Sequence, residues 1–210
     1  MNFIGRNKTR TAILLVDPYN DFLSPGGKIH AHAKPVMDKV GTVSNMLAIV
    51  KLAREISVPI VYVPHHRATP TDFAGWRHVT PYQAGGHDLQ VFAEGTWGGS
   101  WHESFTPQTG DTVVKEHWSS GFAGTDLDIV LKQIGVECLI LIGLLANTCL
   151  EGTGRAGMEL GYHITLVRDA TAAFSDEAMH AAHDINGPTY AHAVVTTAEV
   201  LASLSALDAA

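Results

Sequence analysis

The sequence predicts a three-layer α/β/α doubly wound fold built on a mostly parallel, six-stranded sheet. Apolar runs of strand length, such as TAILLVD and ECLILIG, show no polar alternation, which is typical of strands covered on both faces. These runs alternate with stretches of helical periodicity, as expected for right-handed crossovers between parallel strands. The 210 residues are 46% hydrophobic and 17% charged, which fits a single globular domain over residues 1–210.

Six segments are predicted as strands because they are short, apolar and bounded by polar residues. They cover residues 11–17, 58–63, 111–116, 137–143, 162–167 and 193–197.

The segments between these strands include five predicted helices. An apolar stripe from Val36 to Val50 follows one face of a helix over residues 36–55. Thr125 can cap a helix over residues 125–134. The other three helices are predicted over residues 149–160, 176–185 and 198–207.

Residues 64–110 form a long segment without a clear period. The segment is rich in Gly, Pro, His and Trp, and it is too long for a plain connection between two elements. We expect it to build the walls of a pocket or an oligomer contact.

Charge and apolar patterning restrict the partners of the chain. The formal net charge is -7 and no basic cluster is visible, which argues against nucleic acid or an anionic membrane as a partner. The longest apolar run, residues 138–146, is far shorter than the roughly 20 residues that span a bilayer. With no apolar signal-peptide core in MNFIGRNKTR and only two cysteines, we expect a cytoplasmic protein that acts on a small molecule.

Cys149 lies where the fourth predicted strand turns into a helix. A thiol in the first turn of a helix feels the positive end of the helix dipole, which favours the nucleophilic thiolate. The backbone N–H groups of that turn lack intrahelical partners and could hold an oxyanion.

Two further reactive side chains are predicted at the same edge of the sheet, where ligands bind in doubly wound folds. Asp17 ends the first strand and Lys115 ends the third. Asp17 could take the thiol proton, and Lys115 could keep that carboxylate ionised. Taken singly, the aspartate could cap a turn, the lysine could be solvated, and Cys149 could be a packed small hydrophobe. Their joint position favours catalysis.

Four segments in a fixed order resemble the isochorismatase-like cysteine hydrolase family. They are AILLVDPYNDFL, VVKEHWSSGFAGTDLDIVL, GLLANTCLEGTGRAGMELGY and ITLVRDATAAFS, and the similarity covers nearly the whole chain. The resemblance implies a catalytic triad of Asp17, Lys115 and Cys149 and a cis peptide between Leu144 and Leu145. It also implies an oxyanion hole formed by the backbone N–H groups of Leu145 and Cys149, and assembly as a homodimer or homotetramer.

The same resemblance implies hydrolysis of a C–N bond in an amide, ureido or carbamoyl compound through a thioester. Members that hydrolyse isochorismate lack the cysteine, so Cys149 favours the amidohydrolase branch. Nicotinamidase-like members carry a metal held by an aspartate and several histidines, and PHHRATPTDFAGWRH lacks the Asp-x-His spacing of that site. We therefore expect no metal.

The spacing of Gly152, Gly154 and Gly157 matches G-x-G-x-x-G, but these glycines lie inside a predicted helix rather than at a strand end. We expect them to pack the helix on the sheet, and we expect no dinucleotide or other cofactor. Arg168 could bind a substrate carboxylate or pair with Asp169 or Glu151. The predicted substrate-binding residues are Phe22, Trp76, His117, Trp118 and Arg168.

The main hypothesis is thus a cofactor-independent cysteine hydrolase of C–N bonds. One alternative is a hydrolase of the same fold that uses water directly on an ether or ester. The other is a non-catalytic binding protein with a relic site.

Overall fold

Six parallel strands form one sheet in the computed structural model, which describes residues 8–208. The spatial order is β3-β2-β1-β4-β5-β6, as expected for a doubly wound sheet. The predicted six-stranded α/β fold is therefore confirmed. The strands are β1 (Thr11–Val16), β2 (Ile60–Val63), β3 (Thr112–Val113), β4 (Cys138–Leu144), β5 (His163–Ala172) and β6 (Ala193–Val195).

Helices and helical turns cover the sheet and connect its strands. The α-helices are α1 (Asn20–Leu23), α2 (His30–Val40), α3 (Thr42–Glu55), α4 (Pro81–Asp88), α5 (Leu127–Gln133), α6 (Glu151–Glu159), α7 (Asp176–His180) and α8 (Thr197–Asp208). Ala146–Leu150 and Ala181–Asn186 are π-helical, and Lys8–Arg10, Glu103–Phe105 and Gly187–Thr189 are 3₁₀ turns. None of the helices in the described part is both long and apolar enough to cross a membrane.

The central strand β1 is buried along its whole length. Ile13 and Leu15 belong to the hydrophobic core on one face of the sheet, whereas Leu14 and Val16 belong to the core on the other face. Burying one such side chain contributes roughly 1.5–3 kcal/mol. The absence of polar alternation in this run thus reflects helices on both faces of the sheet.

The order in which the chain adds strands to the sheet reverses between β1 and β4. After β1 the chain adds β2 and β3 on one side, and it then crosses to add β4, β5 and β6 on the other. Val16 pairs with Gly143, so the carboxyl ends of β1 and β4 lie side by side. This is the point where a doubly wound sheet opens a crevice for ligands.

Several predicted boundaries differ from the structure. The predicted helix over residues 36–55 is two helices, because Gly41 has a left-handed backbone (φ 74°) that ends α2 before α3 begins. The third strand is only two residues long, against six predicted. Val114 still donates to Tyr62 of β2, and His117 then pairs with Pro64 and His66 beyond that strand. The helix predicted from Cys149 begins with a π-helical turn, and α6 starts two residues later.

The glycines of α6 pack this helix closely against its neighbours. A Cβ on Gly154 would lie 2.5 Å from the Tyr190 ring, and one on Gly157 would lie 3.0 Å from Ile164 and from Phe122. The interpretation as packing residues is confirmed for Gly154 and Gly157, whereas a Cβ on Gly152 would come no closer than 3.3 Å, to the Ser119 carbonyl oxygen.

Candidate active site

Asp17 and Cys149 meet at the switch point of the sheet, in a cluster that also contains His117. The carboxylate, thiol and imidazole ligand atoms all lie within 4.8 Å of one another, and all three residues are buried. Asp17 follows β1 directly and has a positive φ of 52°. This conformation is uncommon for a residue other than glycine, and such backbone strain is often found at functional sites.

His117 contacts Asp17 directly. Its Nε2 lies 3.1 Å from Oδ1 of the carboxylate, and both side chains are fully buried. Because a carboxylate can only accept, the imidazole Nε2–H donates this bond. The other carboxylate oxygen, Oδ2, has no hydrogen-bond partner within residues 8–208, which leaves it available to the nearby thiol.

Backbone pairing brings His117 to this position. Its N–H donates to the carbonyl of Pro64 at 2.9 Å, and its own carbonyl accepts from His66 at 2.8 Å. The chain after β3 is thereby tied to the chain after β2. His117 was predicted as a substrate-binding residue, and its contact with the aspartate was not foreseen.

The structure does not bring Lys115 to the cluster. Val114 and His117 are buried, whereas the side chain of Lys115 is exposed. Its backbone N–H donates to Asp126 at 2.8 Å, and the residue is absent from the lining of the adjacent cavity. The prediction that Lys115 shares a site with Asp17 is corrected: β3 ends after Val113, and the irregular chain beyond it turns His117 inward.

The surroundings of Cys149 hold its thiol in the protonated form. Burial raises the pKa of Cys149 well above its ordinary range, and the negative charge of Asp17 raises it further. Hydrogen bonds from the Thr148 hydroxyl and the Leu145 N–H oppose this shift without overcoming it. Burial and the neighbouring carboxylate thus act against the thiolate form that the helix end was expected to favour.

The turn between β4 and α6 contains the predicted cis peptide bond, which joins Leu144 and Leu145. The N–H of Leu145 is directed at the sulfur of Cys149, and the Leu145 carbonyl accepts from the N–H groups of Thr148 and Leu150 at 3.2 Å. A backbone donor thus lies beside the nucleophilic atom, where an oxyanion would develop.

A cavity of about 980 Å³ opens above this cluster. Much of its wall comes from residues 64–110, which include α4. Phe73 and Phe92 from this segment both have positive φ angles, 62° and 55°, and both line the cavity. Of the predicted substrate-binding residues, Phe22 and Trp118 line it as well.

Two other predicted substrate-binding residues lie away from the cavity lining. Trp76 packs against Trp118 at a ring distance of 5.2 Å and is 47% exposed. Arg168 donates to Asp184 at 2.8 Å, so its partner is neither Asp169 nor Glu151. Neither residue is among those that line the cavity, and their roles in substrate binding stay predictions.

Two residues that the sequence did not single out shape this site. Tyr82, in α4, is 64% exposed as a whole residue, but desolvation of its hydroxyl beside Thr148 and the neighbouring Cys149 raise the pKa of that hydroxyl. Asp21 is buried and accepts from the N–H groups of Phe92 at 2.7 Å and Lys28 at 2.9 Å. The NDFL pattern after Asp17 carries the acidic residue, but its partner 71 residues away is not visible in the sequence.

The histidines after β2 are arranged as pairing and packing residues. His66 contacts Asp72 at 2.9 Å and Glu116 at 3.4 Å, and it stacks on Trp118 at 4.0 Å. Within residues 8–208, the cluster of Asp17, His117 and Cys149 is the one group with three potential metal ligands close enough to share an ion.

The doubly wound sheet and the residues at its switch point place the chain in a known family. The profile of the isochorismatase domain family matches residues 11–200, and the chain belongs to this family.

Several relatives are named as amidohydrolases. The ureidoacrylate amidohydrolase RutB of Pantoea ananatis is 28% identical over 178 residues, which cover 80% of this chain and 71% of the relative. The RutB of Azorhizobium caulinodans is 27% identical over 209 residues, covering 90% and 88%.

Solved structures share the fold. A cysteine hydrolase from Pseudomonas syringae pv. phaseolicola superimposes with a TM-score of 0.79 at 24% identity, covering 96% of this chain and 95% of that one. The N-carbamoylsarcosine amidase from Thermoplasma acidophilum has a TM-score of 0.64 at 27% identity, covering 90% and 96%. The named activities of these relatives support hydrolysis of a C–N bond outside peptides.

Proposed function

We propose that the protein is a cysteine hydrolase that cleaves a C–N bond of a small amide, ureido or carbamoyl compound through a thioester. This proposal rests on one observation: the buried thiol of Cys149 and the buried carboxylate of Asp17 lie close together beneath a large cavity. The amidohydrolase names of the relatives support the same reaction class.

In the first half-reaction, Asp17 takes the proton of the Cys149 thiol as the sulfur attacks the carbonyl carbon of the substrate. Because the thiol is protonated at rest, this transfer accompanies attack instead of preceding it. The negative charge on the carbonyl oxygen is held by the backbone N–H groups of Leu145 and Cys149. The intermediate collapses when the C–N bond breaks, and Asp17 returns the proton to the departing nitrogen.

In the second half-reaction, water attacks the thioester carbon and Asp17 accepts a proton from that water. The C–S bond then breaks, the sulfur regains the proton from Asp17, and an acid is released. One water is consumed, and ammonia or an amine is produced. No metal or cofactor is required by these steps.

We assign to His117 the positioning role that the family resemblance implied for Lys115. Its hydrogen bond to Oδ1 directs the second oxygen of Asp17 toward Cys149. The imidazole N–H also supplies a hydrogen bond that water can no longer give to the carboxylate in this buried site.

The test combines Cys149→Ala, Cys149→Ser and the control Cys138→Ala, whose thiol lies at the start of β4. We expect ammonia release from amides, ureides and carbamoyl compounds to vanish in Cys149→Ala and to persist in Cys138→Ala. Rapid quenching and intact-mass spectrometry should show an acyl adduct on Cys149. Turnover of an ether or ester without an adduct would favour direct attack by water, and substrate binding without any turnover would favour a binding protein.

A metal-dependent hydrolase is a second candidate, because the ligand atoms of Asp17, His117 and Cys149 lie close enough to share an ion. Cys, His and Asp are all zinc ligands. Metal analysis of the purified protein separates the two candidates. A thioester mechanism requires activity that survives dipicolinate and is not raised by added zinc, whereas loss on chelation and recovery with zinc would favour the metal.

We also propose that the chain is cytoplasmic and assembles as a homodimer or homotetramer. The chain has only two cysteines, and within the described residues they are not joined in a disulfide, which is typical of reducing compartments. Large apolar side chains such as Trp97, Ile129 and Ile185 are more than half exposed and could lie in subunit contacts. Light scattering coupled to size exclusion measures the oligomeric state, and a monomer at micromolar concentration would contradict this assembly.

A further inference from the structure

The cavity above Cys149 has a largely aromatic and aliphatic lining. Aromatic rings contribute to its wall, and its volume of about 980 Å³ is ample for a substituted aromatic molecule. The rings that line it include Phe22, Phe73, Phe92, Trp118 and Phe174.

The charged groups of this lining are mainly acidic. Asp17, Asp72 and Glu151 face the cavity, and Arg155 is the one lysine or arginine among its lining residues in the described part of the chain. An anionic ligand would therefore meet three carboxylates and a single guanidinium.

The guanidinium of Arg155 is already engaged. Its Nε and Nη2 donate to Oε1 of Glu151 at 3.0 and 2.8 Å, and its Nη1 lies 3.3 Å from the Thr189 hydroxyl. The group also lies over the Tyr190 ring at 4.8 Å. To bind a substrate carboxylate, Arg155 would have to leave Glu151, and the anion would then meet Glu151 without its neutralising partner.

The histidines of the wall do not reverse this balance. His66 is paired with Asp72 and Glu116, and burial lowers the pKa of His65, which favours its neutral form. The carboxylates of the wall outnumber its lysine and arginine side chains, and the cavity therefore disfavours anions.

Resting on the proposed function, we infer that the substrate is an uncharged amide with an aromatic or similarly bulky apolar acyl group, not a ureido or carbamoyl acid that carries a free carboxylate. Moving an unpaired carboxylate from water into this lining costs free energy that no cation of the wall offsets. The acid formed by hydrolysis is itself an anion, so the same carboxylates favour its release.

A matched set of substrates tests this inference at pH 8 with ammonia release as the readout. Benzamide and 4-methylbenzamide are uncharged, whereas 4-carbamoylbenzoate adds a carboxylate at the same ring position. Ureidoacrylate represents the carboxylate-bearing ureido compounds. We expect kcat/KM to be about 100-fold lower for 4-carbamoylbenzoate than for 4-methylbenzamide, and lower still for ureidoacrylate. Equal or better turnover of either anion would overturn the inference.

Variants of the ion pair provide an independent check. Glu151→Gln removes the partner that occupies Arg155, so the ratio of kcat/KM for 4-carbamoylbenzoate to that for 4-methylbenzamide should rise by about tenfold. The double variant Glu151→Gln, Arg155→Met should lose this rise. An unchanged ratio in Glu151→Gln would show that charge does not set the selectivity.

The outcomes separate this inference from the proposed function. If the anionic substrates acylate Cys149 and are turned over best, the cysteine mechanism stands and the inferred substrate class falls. If neither these compounds nor other amides form an adduct on Cys149, the proposed function fails and the substrate class fails with it.

Discussion

At the scale of single residues, the hydrogen-bond partner of Asp17 sets the orientation of its carboxylate. His117 donates to Oδ1 from a fully buried position, whereas Lys115 is exposed and bonded through its backbone to Asp126. The imidazole of this chain thus occupies the place that the family resemblance implied for an ammonium. A lysine remains charged at all physiological pH values, but a histidine can lose its charge, so the two are not equivalent partners.

Replacing each of these residues in turn tests which one acts on Asp17. In His117→Ala the carboxylate loses its hydrogen bond, and we expect kcat to fall by about 100-fold or more. In Lys115→Ala we expect kcat to stay within about twofold. Steady-state kinetics gives both values, and thermal unfolding shows whether each variant is folded. His117→Gln should recover part of the activity, since its amide can still donate. A large loss of kcat in a normally folded Lys115→Ala variant would show that the lysine acts in the site.

The raised pKa of Cys149 gives a second test at this scale. We expect the rate of alkylation by iodoacetamide to be low at pH 7 and to rise through pH 9 without a plateau near neutrality. Asp17→Asn removes a negative charge, so its Cys149 should react faster at pH 8. Peptide mass spectrometry separates Cys149 from Cys138, which serves as an internal control. A rate that levels off near pH 7 would show a resting thiolate.

The same shift predicts how stability depends on pH. The folded state holds the Cys149 proton more tightly than the unfolded chain does, so the stability that this thiol contributes is fully present only below its ordinary pKa. Above about pH 8.5 the unfolded thiol ionises and the folded one does not, which lowers the free energy of unfolding as pH rises. Because the proposed mechanism starts from a protonated thiol, slow reaction of Cys149 with iodoacetamide at neutral pH is expected of an active enzyme and does not by itself indicate a relic site.

At the scale of elements, the glycines of α6 allow this helix to pack closely against its neighbours. This packing places the turn that carries Cys149 at the end of β4. The helix lies so close to Tyr190 that Gly154 has no room for a side chain. The literal G-x-G-x-x-G of this helix thus has a steric cause, which the sequence interpretation identified from the position of the glycines within a helix.

Gly154→Ala should destabilise the protein by about 1–3 kcal/mol, because its Cβ would lie 2.5 Å from the Tyr190 ring. Gly85 in α4 is the matched control, since nothing lies within 4 Å of a Cβ built there. Gly85→Ala should be neutral or stabilising by up to about 1 kcal/mol. Urea unfolding of both variants measures the difference. Equal stability of the two would show that α6 can move away from Tyr190 at little cost.

At the scale of the whole molecule, Asp21 fastens the long segment 64–110 to the chain after β1. Its carboxylate accepts the N–H of Phe92, and its own N–H donates to the carbonyl of Gly98 at 3.0 Å. A Cβ on Gly98 would lie 2.3 Å from Asp21 Oδ1, so the two segments are in close contact. The cavity wall therefore depends on a contact between residues far apart in sequence.

Asp21→Ala leaves the buried N–H of Phe92, and the N–H of the exposed Lys28, without their acceptor. We expect a loss of roughly 3 kcal/mol in the free energy of unfolding, and a raised KM because Phe92 lines the cavity. Asp38→Ala is the control, since Asp38 is exposed and pairs only with Lys34 on the surface of α2, a contact worth less than about 1 kcal/mol. If both variants unfold at the same urea concentration, Asp21 does not anchor the segment.

Local patterns determined the parallel sheet, its flanking helices and the edge at which Asp17 and Cys149 meet. They could do so because apolar runs define buried strands and parallel strands share one carboxyl edge. Tertiary structure decided the rest. It placed His117, and not Lys115, beside Asp17. The reason is that β3 ends after two residues, and the direction of the following side chains depends on pairing with residues 64–66. It also set the protonation of Cys149 and assembled the cavity wall, since burial and contacts across 70 or more residues leave no periodic signal in the sequence.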